Sequence, residues 1–445
     1  MREPKALNIP LPEKEPKVSV GIVIAEDLKK SVRIKPCCKR CVVRSDDGIE
    51  RLIEGWCDIS LASGSKGGTV ELTDNKGGKL HGSRLTIFSQ RGKPERLFVD
   101  SITVGRGFHW EDEKVQSFTG EITVFSHKGF IVVVNTLPFE EYIASVVSSE
   151  MGKSCPADFQ IAQSVAARSW AWAFWGSKHR DDPYDVCNDD DCQRYQGVTD
   201  GFNSCRRILS AATGVFLKAP SGAVCPAYYH KSCGGHLASP QMVFGYEVDG
   251  LVPKADMEKE LSYRVDQKFQ YFLADKYVYE NAYCAPLNCT LPKSEILGGV
   301  DVDMEYFRWD YTISSEDLCS IAEDKFGLKG IKAILSIVPS QRDPSGRYCK
   351  MKVEFTDTSG EKKELVFNNQ YEIRKFLHPK FLYSSAFEII AEGKGEVSKV
   401  TLRGAGWGHG VGLCQMGGVG MALAGKSWKD ILCHYYPRCE IVKAY

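Results

Sequence analysis

From Val18 to Ile24 apolar and polar positions alternate through β-branched residues, which predicts a strand. Strands are also expected at Leu85–Phe88, Glu121–Phe125 and Phe130–Asn135, between glycine turns at 64–68 and 77–78, so 18–135 reads as mainly β. The period then changes. Tyr142, Val146 and Glu150 recur every fourth position, which sets them on one face of a helix with Pro138 in its first turn. A second helix starts near Ser154-Cys155-Pro156, with Ile161, Val165 and Trp172 as its apolar stripe and Arg168 beside it.

Residues 176–250 are polar, irregular and rich in Gly, Asp, Cys and His. A helix is expected at Glu316–Phe326 and strands at Ala333–Pro339, Met351–Phe355 and Glu364–Phe367. The tail holds a glycine-rich loop and a short helix at Lys426–Cys433. The class is α+β: a mainly β N-terminal part, a central helical segment carrying the site, a mixed α/β insertion, and a C-terminal loop closing a cleft. The expected division is a disordered lead-in at 1–17, a core of 18–254 with 385–445, and an inserted or packed lobe at 255–384.

Lys+Arg and Asp+Glu both total 57, so the formal net charge is zero and no basic stripe argues for a nucleic-acid partner. No run is long and apolar enough for a membrane helix, and the first residues lack the apolar core of a signal peptide. The 17 cysteines are odd in number and spread through core-like segments, which favours reduced thiols or metal ligands over a disulfide scaffold. Cys37, Cys38, Cys41 and Cys57 are a minor candidate for a further metal site.

Four segments carry chemistry. In the first, Glu150 closes a helix, where the helix dipole disfavours a second negative charge; partial burial acts the same way, and both suit a general acid. The alternative is an ordinary solvated glutamate. In the second, His179, Cys187 and Cys192 lie within fourteen residues, a nitrogen and two sulfurs of the kind zinc takes, with Asp189, Asp190 or Asp191 as an oxygen donor. A Cys187–Cys192 disulfide is the alternative. The third runs from Tyr228 to His236 and the fourth from Gly404 to Gly418. Their glycine density is costly unless a tight turn or close backbone approach requires it. Tyr228, Tyr229 and Trp407 are candidate flat faces for sugar rings, or structural aromatics.

Together these segments resemble stage II sporulation protein D and the amidase enhancers. The resemblance rests on Leu137 to Met151, Gln163 to Ala171, Cys192-Gln193 with Tyr195 and Gly197, His230 to Gly235, Gly404 to Gln415, and Tyr435-Tyr436-Pro437. It implies a lytic transglycosylase that cleaves the MurNAc–GlcNAc bond of peptidoglycan glycan strands, leaving 1,6-anhydro-MurNAc ends. Glu150 is the implied single acid/base. Arg168, Gln193, Tyr195, His230, Ser232, Gly234, Gly235, His409 and Gln415 are implied to line the substrate cleft. His179, Cys187 and Cys192 are implied metal ligands, with Asp191 where some relatives carry a further His. The metal is expected to be a structural zinc, with no organic cofactor. Cys233 stands where the family usually has a small hydroxyl residue and reads as a tolerated exchange. The implied setting is the cell envelope, with glycan strands and a cell-wall amidase as partners. The competing readings are a non-catalytic peptidoglycan-binding amidase activator and a zinc hydrolase.

Overall fold

The computed structural model describes residues 9–37, 40–62, 68–89, 96–107, 111–189, 191–286, 296 and 307–445. Cys38, Asp190, Cys289 and most of the 64–68 turn lie outside them. The architecture is α+β.

Two antiparallel sheets form most of the N-terminal part. The first is ordered Lys17–Val23, Phe130–Pro138, Glu121–His127, Arg84–Ser89, Cys41–Ser45, Glu50–Ile53, and the second Asp112–Phe118, Leu97–Val104, Ser31–Pro36, Cys57–Leu61, Val70–Asp74, Lys79–Gly82. Both bury their apolar faces in one cluster. Lys17–Val23 pairs with Phe130–Pro138, Val18 opposite Leu137. On its other edge Val186–Cys187 adds in parallel, Gly21 opposite Cys187, and this anchors the cysteine-bearing loop. Gly21 is required there, because a Cβ would meet the Tyr184 ring. Residues 9–16 carry no regular element but lie on the core: the Pro10 carbonyl accepts from Trp172 Nε1 and the Pro16 carbonyl from Phe139 N–H.

Helix α1 is Phe139–Glu150 and α2 is Ala157–Ala173. Pro138 and Pro156 sit just before the helices in extended conformation, rather than within the first turn. Most of α2 is buried on every side, because α1, the Phe202–Leu209 helix, the Val215–Lys218 strand and the C-terminal helices Gln415–Leu423 and Trp428–Tyr435 all pack against it. The chain end closes this arrangement as Glu440–Lys443 pairs with Val215–Lys218.

A second apolar cluster runs from Trp309 to Leu402. It holds the three-stranded sheets Arg308–Ser314/Lys399–Ala405/Phe387–Glu392 and Ile331–Arg342/Tyr348–Asp357/Lys362–Phe367, with helices Ser315–Phe326 and Gln370–Phe376. The two clusters draw on residues from both sides of the expected 255–384 bounds. Ala255 to Ala285 pack with the first cluster, whereas Phe387 and Val400 pack with the second. The cause is strand pairing across the insertion, Arg308 opposite Ala405 and Phe387 opposite Gly404.

Candidate functional site

The Tyr229–His230 strand pairs in parallel with Leu413–Cys414. Strand alternation sends Tyr229 and Lys231 to one side and His230 and Ser232 to the other. The first side faces the end of α1. Tyr229 Oη lies 3.4 Å from Glu150 Oε1, and Gln415 Nε2 donates to Glu150 Oε2 at 3.1 Å. Lys231 Nζ donates to the Glu150 carbonyl at 3.3 Å, which places a cation on the negative end of α1. Glu150 is partly exposed, whereas Gln415 is buried. Among the described residues the Glu150 carboxylate hydrogen-bonds to a phenol and an amide only.

On the other side His230 is buried, its Nδ1 bonded to the Val411 carbonyl at 3.1 Å, while His230 Nε2 and Ser232 Oγ have no hydrogen-bond partner among the described residues. The His409 ring lies tilted beside it, centroids 5.4 Å apart, and its Nδ1 accepts from Val411 N–H. Burial, with His230 and the Arg374 and Arg347 guanidiniums, holds the His409 imidazole well below its ordinary value. Ser232 and Trp407 exchange backbone hydrogen bonds. Gly234 and Gly235 both have positive φ, and a Cβ on Gly234 would meet the backbone at Ala405–Gly406. Trp407 stacks on Tyr383 at 4.7 Å and stays partly exposed. Tyr228 is a core residue, stacked on Phe244 with its hydroxyl on that of Tyr246.

Three of the expected cleft residues sit elsewhere. Arg168 is fully buried and forms a bidentate pair with Glu140, Nε to Oε1 at 2.9 Å and Nη2 to Oε2 at 2.6 Å. Its Nη1 donates to the Val215 carbonyl. Burial pushes the Glu140 carboxyl up, but Arg168 outweighs it and holds Glu140 below its ordinary value. Gln193 is buried between Tyr142 Oη and the Ala167 carbonyl. Tyr195 stacks between Phe118 and Tyr142 with its hydroxyl on Asn135. These three brace α1 and α2 rather than reach Glu150. Lys231 is not among the expected residues, although it follows the Tyr229–His230 strand directly and stands two positions from Tyr229.

His179, Cys187 and Cys192 do come together, their ligand atoms within 4.8 Å of one another. His179 Nε2 is 3.2 Å from Cys192 Sγ, and its Nδ1 is held by Asp182 at 3.0 Å, the carboxylate partner that commonly orients a metal-bound imidazole. A hydrogen bond from Cys192, helped by His179 and opposed by burial, lowers the Cys187 thiol to about 5. One nitrogen and two sulfurs fit zinc. Asp191 does not join them: its side chain is 57% exposed and pairs with Lys178 at 3.4 Å. Asp189 faces Arg106 instead, and Asp190 lies outside the described residues. No described metal cluster includes Cys37, Cys41 or Cys57. Most of the described cysteines are buried.

Residues 127–215 match the family model described as stage II sporulation protein, and residues 248–412 match one described as a domain of unknown function (DUF8618). An uncharacterised protein of Brachyspira hyodysenteriae is 26% identical over 326 residues, 73% of this chain and 72% of that protein. The amidase enhancer of Bacillus subtilis is 25% identical over 300 residues, 66% of this chain but 39% of the enhancer, so the match spans less than half of that relative. These matches and the motifs near Glu150 support the stage II sporulation protein D and amidase-enhancer family, and with it a cell-wall related function.

Proposed function

We propose that the chain is a lytic transglycosylase acting on peptidoglycan glycan strands, with Glu150 as its single acid/base. The observation that carries this reading is the Glu150 carboxylate, partly exposed and held by two neutral donors, Tyr229 and Gln415. In the first step Glu150 gives its proton to the glycosidic oxygen as the bond to C1 of the muramic sugar breaks. In the second the Glu150 carboxylate takes the proton of the C6 hydroxyl as that oxygen bonds to C1, closing the anhydro ring. The nucleophile belongs to the substrate, so no second carboxylate is needed to activate water. Gln415 and Tyr229 orient the carboxylate.

His179, Cys187 and Cys192 would hold a zinc ion, with water or a further donor in its remaining position. Its contribution when bound is structural: it fastens the 179–192 loop, already paired to the Lys17–Val23 strand, beneath Gln193 and Tyr195.

The test is incubation with peptide-free glycan strands and mass spectrometry of the products. Anhydromuramic ends that vanish with Glu150→Ala support the reading, whereas ordinary reducing ends would point to hydrolysis. The similarity to an amidase enhancer favours one alternative, a binding protein that activates an amidase. Glycan binding with no cleavage product, by wild type and Glu150→Ala alike, would select it.

A further inference from the structure

Beside the Tyr229–His230 and Leu413–Cys414 strand pair, three thiols and a carboxylate converge from distant parts of the chain. The ligand atoms of Cys233, Asp256, Cys284 and Cys414 all lie within 4.8 Å of one another, and all four residues are buried. Cys233 Sγ is 3.5 Å from Cys284 Sγ and 3.1 Å from Asp256 Oδ2. We propose that these four residues form a tetrahedral site for one zinc-class divalent cation, separate from His179, Cys187 and Cys192.

The spacing fits one ion. A tetrahedron with metal–sulfur bonds of about 2.3 Å has edges of roughly 3.7 Å. An iron–sulfur cluster would hold its cysteines farther apart, because irons and bridging sulfides lie between them.

The surroundings suit thiolates. Three backbone N–H groups point at the sulfurs: Cys233 N–H to Cys414 Sγ at 3.2 Å, Gly235 N–H to Cys233 Sγ at 3.3 Å and Gly417 N–H to Cys414 Sγ at 3.3 Å. Cys414 caps the N-terminus of the Gln415–Leu423 helix, a place usually taken by an oxygen side chain and one that favours negative charge. The Asp256 carboxylate is fully buried, and burying a charge is costly unless it is paired or bound to a metal. Its Oδ1 accepts from Tyr435 Oη at 2.7 Å, with His434 Nε2 at 3.4 Å, while Oδ2 faces the sulfurs. A Cβ on Gly417 would strike that carboxylate and the Tyr435 hydroxyl, so the helix approaches this closely only with glycine there. On binding, each thiol gives its proton to solvent and its sulfur to the metal, and the Arg347 guanidinium on the Cys233 carbonyl offsets part of the excess negative charge.

Such an ion would tie four segments together next to Gln415. Cys233 follows His230 and Ser232, and Cys414 directly precedes the glutamine that holds Glu150. The site stands on its own ligand geometry and does not depend on the reaction proposed for Glu150.

The test is the metal content of the full chain, purified under reducing conditions with zinc present. The Cys187→Ser/Cys192→Ser variant should keep about one zinc per chain, and adding Cys284→Ser should bring it below about 0.2. Cobalt in the first variant should give the intense thiolate-to-cobalt absorption of a three-sulfur tetrahedral site. A folded first variant that binds neither metal overturns the proposal, as does a disulfide joining two of Cys233, Cys284 and Cys414. If that variant does not fold, zinc X-ray absorption on wild type decides. His179, Cys187 and Cys192 supply at most two sulfurs per ion, so an average above two supports the site and two or fewer overturns it.

Discussion

Helix α1 carries a glutamate near each end, and the two are used in opposite ways. Glu140, in the first turn, is locked to the buried Arg168 guanidinium by two hydrogen bonds, with Tyr445 Oη and the Gly214 N–H also on its carboxylate. The Glu150 carboxylate, about 15 Å along the axis, meets only an amide and a phenol among the described residues, and Glu150 stays partly exposed. One carboxylate is consumed by the fold; the other is left partly open. The chemical type of a residue says little about which it will be, and its hydrogen-bond partners say most of it.

The contrast is tested most strongly by removing each acid in turn. Glu150→Gln keeps the shape and the two donors' positions but cannot transfer a proton. Its turnover on peptide-free glycan should fall by about 10²–10⁴, with unfolding midpoints close to wild type. Glu140→Gln should do the reverse. Leaving the Arg168 charge buried without its partner should cost about 3–5 kcal/mol in urea unfolding, with turnover per folded molecule little changed. If Glu140→Gln abolished turnover at full stability, the division between the two ends of α1 would be wrong.

Acidity sharpens the same comparison. Arg168 holds the Glu140 carboxyl below its ordinary 4.5, so the pair's stabilisation is complete above 4.5 and is lost as pH falls through the lower, folded-state value. The stability gap between wild type and Glu140→Gln should therefore be widest near neutral pH and should narrow below pH 4.5. A gap that stays constant from neutral pH down to the acid limit of folding would show that the ion pair is not its source.

Much of this was legible in the sequence. Alternation found the Lys17–Val23 and Phe130–Pro138 strands, and the four-residue period placed Glu150 at the end of α1. The Glu316–Phe326 expectation matches Ser315–Phe326 within a residue, because its Ser314 cap and Gly327 stop are written locally. The expected glycine-rich segment, Gly404 to Gly418, runs into the start of the Gln415–Leu423 helix, which the pattern does not predict. Three of its nine residues are glycine, which ordinarily argues against a helix, and only the close approach of Phe159, Tyr283 and Tyr435 explains them. The pairing of Arg168 is illegible for a related reason: its partner Glu140 is 28 positions away, and no local pattern links the two. The convergence of Cys233, Asp256, Cys284 and Cys414 was hidden in the same way, since a thiol at one of these positions alone reads as a small buried apolar residue.

The smallest expected effects come from the two donors on Glu150, and they rank by geometry. The Gln415 amide lies 3.1 Å from its oxygen and the Tyr229 hydroxyl 3.4 Å, at the long end for a hydrogen bond. A hydrogen bond to a charged group contributes about 1.5–3 kcal/mol, so Gln415→Leu should slow turnover by about 10- to 100-fold. Tyr229→Phe removes a longer contact and leaves the ring in place, so a loss of only about threefold is expected from a bond weaker than average. In both variants the change should fall on kcat rather than KM, because the lost contact is with the acid and not with the glycan. If Tyr229→Phe instead raised KM with kcat intact, Tyr229 would be a sugar contact, and Glu150 would rest on Gln415 alone.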